Sequence, residues 1–220
     1  MTSSLQSLER VVDEPPDRPD RNPDEYVPMQ ALTRQIALEG AWSPAVAENI
    51  RQLFDNLAPE WHTLGGEVRL APLRDALLRG GVPAGGTCVE IGSGVGLQTP
   101  PLAEHFDFVV STDFSAEMLA RSPREPASLV QADASVLPLR PATVDAVICV
   151  NAFLFPQEYA RVLRPGGAVA MIAANGDRTP IYLPAEDVVA ALPGSWSATT
   201  SLAAWGSWTV ARRTDAGGAA

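Results

Sequence analysis

The chain is poor in the residues that most often carry metal or redox chemistry. Its 220 residues include two cysteines and two histidines. Cys88 and Cys149 fall inside apolar β-prone runs without CxxC spacing. Neither a disulfide framework nor a metal site is indicated, and both read as small buried hydrophobes. Cations are also scarce: 16 Lys and Arg stand against 26 Asp and Glu, a formal net charge of −10. Nucleic acids are held largely by Lys and Arg, so a nucleic-acid partner is disfavoured, as is an anionic membrane surface. No apolar run reaches membrane-spanning length. The start, MTSSLQSLERVVDEPPD, lacks the apolar centre of a secretory signal. The expected location is the cytoplasm.

What is present is a globular chain, 46% hydrophobic. Residues 1–24 mix Pro15, Pro16, Pro19 and Pro23 with alternating charge and read as a flexible acidic leader. Residues 25–81 read as a helical lid. VPMQALTRQIALEG gives one helix closed by Gly40, and Ser43–Pro44 opens a second running to about Trp61. A third covers about Val68 to Leu78. From residue 82 to 220 strands alternate with helices. The strands are Thr87 to Ile91, Phe106 to Asp113, Ser128 to Asp133, Val144 to Asn151 and Ala168 to Asp177. A helix around FPQEYARVL precedes the last of these, and another spans Ala185 to Ala191. Two closing β-prone runs, Trp196 to Leu202 and Trp208 to Arg212, suggest a hairpin turning at WGSW. This order predicts an α/β fold, doubly wound and Rossmann-like, with a mostly parallel sheet, an antiparallel C-terminal hairpin and N-terminal lid helices.

In such a sheet, ligands bind outside the carboxyl ends of the strands. The residues expected there are Glu90 with the glycine turn of CVEIGSGVGLQT, then Asp113, Asp133 and Asn151. A strand, a glycine turn and a helix bring backbone N–H groups to a ligand. The spacing is G-x-G-x-G, however, with Leu97 where the dinucleotide fingerprint has its third glycine. Glu90, directly before the turn, would repel a diphosphate and suit a cationic ligand. Asp113 stands where a carboxylate accepts hydrogen bonds from ribose hydroxyls. Asp133 is placed for an adenine amino group, although a strand-end Asp can equally cap a turn.

VEIGSGVGLQT, STDFSAEML, VQADASVLPL, VDAVICVNAF and RVLRPGGAVAMI, taken together, resemble the successive motifs of class I S-adenosylmethionine-dependent methyltransferases. The resemblance runs from about Val82 to Ala174. It implies S-adenosylmethionine as cofactor. It implies that Glu90, Gly92, Ser93, Gly94, Gly96 and Thr99 form the motif around the cofactor's amino-acid part. It also implies that Asp113 holds the ribose, that Asp133 and Ala134 read the adenine, and that Phe114 and Met118 wall the adenosine.

After the fourth strand, amino-methylating relatives carry Asn/Asp-Pro-Pro-Tyr/Phe, and only Asn151 of that signature is kept. Asn151 is a candidate both for the cofactor pocket and for catalysis, and the departure points to a small-molecule acceptor. Phe153 and Phe155 could line its pocket. Methyl transfer from a sulfonium is an in-line displacement, helped by alignment and, for a protonated acceptor, by a base. His105 lies at a helix end, where it complements the helix dipole. His62, beside Trp61, is the candidate base, and Trp61 is either a face for the sulfonium or a hydrophobic anchor of the lid. Asp177, Arg178, Thr179 and Tyr182 leave the fifth strand at the same sheet end, where Arg178 would suit a carboxylate. The expected protein is a monomer or homodimer. Three other readings stay open: a non-catalytic partner subunit with this fold, an enzyme using the sulfonium for non-methylating chemistry, and a nicotinamide oxidoreductase.

Overall fold

A computed structural model describes residues 3–18, 20 and 22–214. An eight-stranded sheet runs through it. In chain order the strands are β1 (Ser4–Ser7), β2 (Thr87–Ile91), β3 (Phe108–Asp113), β4 (Ser128–Gln131), β5 (Val144–Val150), β6 (Leu163–Ala173), β7 (Trp196–Ala203) and β8 (Gly206–Arg213). Their order across the sheet is β1-β7-β8-β6-β5-β2-β3-β4. Neighbours are parallel except where β8 inserts antiparallel between β6 and β7. The chain steps from β2 outward to β3 and β4, then crosses back to β5 on the other side of β2. That reversal leaves a crevice at the carboxyl ends of β2 and β5.

Both faces of the sheet are buried, and the period of two sorts residues between them. On β5, Val147 and Cys149 join one core, while Ala146, Ile148 and Val150 join the other. The first core is covered by α6 (Pro156–Val162) and α7 (Ala185–Ala191), the second by α3 (Glu67–Arg79) and α4 (Thr99–His105). Burial pushes the Cys149 thiol up to about 12 and raises that of Cys88, so neither is a nucleophile at neutral pH.

The other N-terminal helices, α1 (Val27–Glu39) and α2 (Pro44–Leu57), lie across the strand ends. Their side chains Ile36 and Ile50 meet Phe153 and Ile181 from the loops beyond β5 and β6. The Ser43 hydroxyl caps α2 by accepting from the Val46 N–H, with Pro44 at the first helical position.

Several elements differ from the sequence expectation. The helix expected to reach Trp61 ends at Leu57 and continues as a 3₁₀ helix over Ala58–Leu64. Pro59 has no N–H to give the Asp55 carbonyl, so α-type bonding cannot continue. β6 starts at Leu163 opposite Val144, loops out over Arg164 to Gly167, and resumes pairing at Ala168. It stops at Ala173, and Gly176–Arg178 form a 3₁₀ turn. The hairpin turns at Ala204–Trp205, so Gly206, Ser207 and Trp208 of WGSW already belong to β8.

The leader differs most. Met1, Thr2, Pro19 and Arg21 lie outside the described residues, but Ser4–Ser7 extend the sheet beside β7 in parallel. Val12 bridges Ala203, and Leu8 and Val12 pack on the second core. The outer edge of β7 offers unpaired backbone groups. A four-residue strand satisfies them with little apolar content of its own.

Candidate active site

The carboxyl ends of β2 to β5 open into a chamber. Gly92, Ser93 and Gly94 line it at the end of β2, Asp113 and Phe114 after β3, and Asp133 and Ala134 after β4. Trp42, Phe54 and Trp61 of the N-terminal segment complete it. The turn requires glycine at Gly94, whose φ is +57° and where a Cβ would lie 3.2 Å from Trp61 Nε1. Gly96, at φ +81°, serves packing behind the turn, since a Cβ there would lie 2.7 Å from Ser122 Oγ.

Asp113 ends β3. Its Oδ2 accepts from the Gly94 N–H at 2.7 Å and its Oδ1 from the Ser115 N–H at 2.8 Å. The carboxylate thus fixes the glycine turn, and each oxygen keeps a lone pair for a ligand. Burial raises its pKa, while the N–H groups of Ser115, Gly94 and Phe114 pull it back. Asp133 accepts from the Ser135 N–H at 2.8 Å and from the Trp42 indole N–H at 3.0 Å. Trp42 also packs against Phe114, Phe153 and Phe155, with ring centroids 6.4, 5.8 and 5.2 Å away. It closes this end of the chamber from the turn between α1 and α2.

Asn151 follows β5 with φ +52°, a left-handed conformation Asn tolerates better than most residues. Its Oδ1 accepts from the Ala174 N–H at 2.9 Å, tying the ends of β5 and β6 together. A second chamber adjoins the first, walled by Met29, Leu53, Leu57 and Pro180 and lined also by Asn175 and Thr179. Phe54, Trp61, Leu64, Arg69, Asn151 and Ile181 line both chambers and mark the seam between them.

Residues 89–171 match the family model described as a methyltransferase domain. Over these residues the chain is similar to methyltransferase domains. Among solved structures, a complex of DhpI with S-adenosylhomocysteine is similar at 19% identity and a TM-score of 0.61, covering 78% of this chain and 98% of that one. The methyltransferase complexed with the Trm112 activator of Haloferax volcanii has 20% identity and a TM-score of 0.59, covering 74% and 98%. A methyltransferase of Thermotoga maritima has 16% identity and a TM-score of 0.59, covering 74% and 99%. At these identities the likeness establishes the fold. Among curated proteins no sequence matches the chain.

In this site the sequence-predicted residues divide into two sets. Gly92, Ser93, Gly94, Asp113, Phe114, Met118, Asp133, Ala134 and Asn151 line the first chamber. Glu90, Gly96 and Thr99 stand behind it and are not among its lining residues. Glu90 is 2% exposed. Its Oε2 accepts from the hydroxyls of Thr99 and Ser111, bracing the start of α4 against β3. Burial pushes its carboxyl up to about 7, against the pull of those two hydroxyls.

The candidate base is also displaced. The 3₁₀ turn carries Trp61 inward to the seam but leaves His62 exposed and outside the lining of both chambers. Of Asp177, Arg178, Thr179 and Tyr182, only Thr179 lines the second chamber. Trp42 and Arg69 are among the lining residues that the sequence does not mark out. Trp42 sits alone between two helices, and an aromatic just before a Ser-Pro cap was the available signal. Arg69 is one of three arginines on α3, and nothing in their spacing sets it apart.

Proposed function

We propose that the chain methylates a small organic molecule, with the cofactor in the first chamber and the acceptor in the second. The observation that carries this reading is the seam: two chambers meet under one helical cover, as a two-substrate transfer requires. Net charge of −10 supports a small molecule over a nucleic acid. Among the described residues no helix is long and apolar enough to cross a membrane.

The first chamber's donors and acceptors suit the proposed occupant. Asp113 would hold the ribose hydroxyls through its remaining lone pairs. Asp133, with the backbone at Ala134, would read the adenine while Trp42 fixes the carboxylate. Ser93 Oγ and Gln98 Oε1 are buried without a hydrogen-bond partner among the described residues, and both residues line this chamber. An amino-acid ammonium would satisfy them. Bound there, S-adenosylmethionine supplies an electrophilic methyl on a cationic sulfur. The chain itself supplies alignment and exclusion of water, through Trp61, Leu64 and Ile181 at the seam.

The test is thermal denaturation with S-adenosylmethionine, S-adenosylhomocysteine, NAD and NADP. The first two should raise the melting temperature and the nicotinamide pair should leave it unchanged. Stabilisation by NAD alone would overturn the reading.

A further inference from the structure

The second chamber holds polar features that cofactor binding leaves unused. Asn175 is 8% exposed. Its Oδ1 has no hydrogen-bond partner among the described residues, and the residue lines this chamber only. A buried acceptor left this way is unfavourable unless something donates to it. Arg69 is the one cation among the described seam residues. A guanidinium has five N–H donors, so it can keep a protein contact and still take a ligand. Among the described residues the rest of the seam is apolar or amide, without His, Asp, Glu, Cys or Tyr. Glu25 and Glu60 reach the second chamber, but both are exposed.

A seam with a guanidinium and no base suits an acceptor that arrives already ionised. The position of Arg69 favours a carboxylate, which matches its planar fork. An anion there also offsets the repulsion between Arg69 and a neighbouring sulfonium. The apolar walls from Leu53, Leu57 and Phe54 fit a hydrocarbon or aromatic body.

Resting on the two-chamber reading above, we infer that the second chamber takes an apolar carboxylic acid. Its carboxylate pairs with Arg69 at the seam and is the methyl acceptor, and a hydroxyl or N–H farther along its body donates to Asn175 Oδ1. A carboxylate oxygen forms the new O–CH3 bond, and the electron pair of the broken C–S bond stays on sulfur. The products are a methyl ester and neutral S-adenosylhomocysteine. No proton is released, so no base is required.

The experiment is calorimetric titration of the full chain saturated with S-adenosylhomocysteine. The probes are phenylacetate, 4-hydroxyphenylacetate, phenylacetamide and tyramine. Failure of S-adenosylhomocysteine itself to bind would count against the cofactor site, separately from the acceptor class. We expect both carboxylates to bind, the hydroxylated one more tightly, and the amide and amine to be at least tenfold weaker. Arg69→Gln should weaken carboxylate binding at least tenfold, with Arg69→Lys between, while S-adenosylhomocysteine affinity stays within a few-fold and reports an intact fold. Asn175→Ala should bring 4-hydroxyphenylacetate down to the level of phenylacetate. Tyramine binding as tightly as the acids would overturn the inference, as would no carboxylate binding at millimolar concentration. So would an Arg69→Gln protein that keeps the acids but loses S-adenosylhomocysteine, which would assign Arg69 to the cofactor's own carboxylate.

Discussion

The indole of Trp61 lies against Gly94, and a methyl group added to that glycine would sit 3.2 Å from Trp61 Nε1. The lid and the glycine turn are therefore fitted to each other at the one residue of the turn that Asp113 also holds. Gly94→Ala adds both this crowding and a left-handed conformation costing about 1–2 kcal/mol for an L-residue. We expect S-adenosylhomocysteine affinity to fall tenfold or more by calorimetry. Combining it with Trp61→Phe should recover part of the loss. Affinity unchanged by Gly94→Ala would mean the turn does not face the cofactor.

Glu90 makes a pH-dependent contribution to stability. Its carboxyl titrates near 4.5 as an ordinary glutamate and near 7 in the folded chain. Between those values the folded state keeps a proton that the unfolded state has lost. Stability therefore falls as pH rises through this window and levels off above it. The full change is about 3 kcal/mol, at about 1.4 kcal/mol per pKa unit. Glu90→Gln should lack that fall, gaining on the native protein between pH 4.5 and 7 in urea titrations. A parallel pH dependence in the two proteins would remove Glu90 as its source.

The N-terminal strap should matter for the acceptor side. Arg18 donates to the Asn175 carbonyl and to Asp177, and Gln30 donates to the carbonyls of Asp177 and Thr179. These contacts hold the loop that supplies Asn175, Thr179 and Ile181 to the second chamber. Deleting residues 1–18 also strips β1 from the edge of β7. We expect a lower melting temperature and a raised KM for the acceptor, with S-adenosylhomocysteine affinity within a few-fold of the full chain. Unchanged melting and KM would show that the strap is dispensable.

The sheet and the residues lining the first chamber were legible because short-range patterns encode them. β2 and β5 are largely apolar runs, and Asp113 ends β3 while Asp133 lies two residues beyond β4. The strap was not legible: its composition is that of a disordered leader, and its order comes from an edge of β7 some 190 residues away in the chain. The role of Glu90 was misread for a related reason. The motif puts an acid before the turn, but only packing shows it facing Thr99 and Ser111 instead of the chamber. Arg69 and Asn175 line one chamber from α3 and from the β6–α7 connection, and no local spacing records that.

Trp42 should report on the adenine end. Its indole N–H is bonded to Asp133 and its ring to three phenylalanines. Saturation with S-adenosylhomocysteine should change the tryptophan emission, and Trp42→Phe should remove a large part of that change. Trp42→Phe should also weaken binding several-fold, since Asp133 loses one of the donors that orient it. An emission change that survives intact in Trp42→Phe would place the adenine elsewhere.

The central claim is that the carboxyl ends of β2 to β4 hold S-adenosylmethionine through Asp113. Titration of S-adenosylhomocysteine into the native protein and into Asp113→Ala tests it most directly. Charge-assisted hydrogen bonds are worth about 1.5–3 kcal/mol each, and about 1.4 kcal/mol is a factor of ten. The account predicts binding by the native protein and an affinity at least tenfold lower in Asp113→Ala, with the far-ultraviolet circular dichroism unchanged. Equal affinity in the two proteins would contradict it.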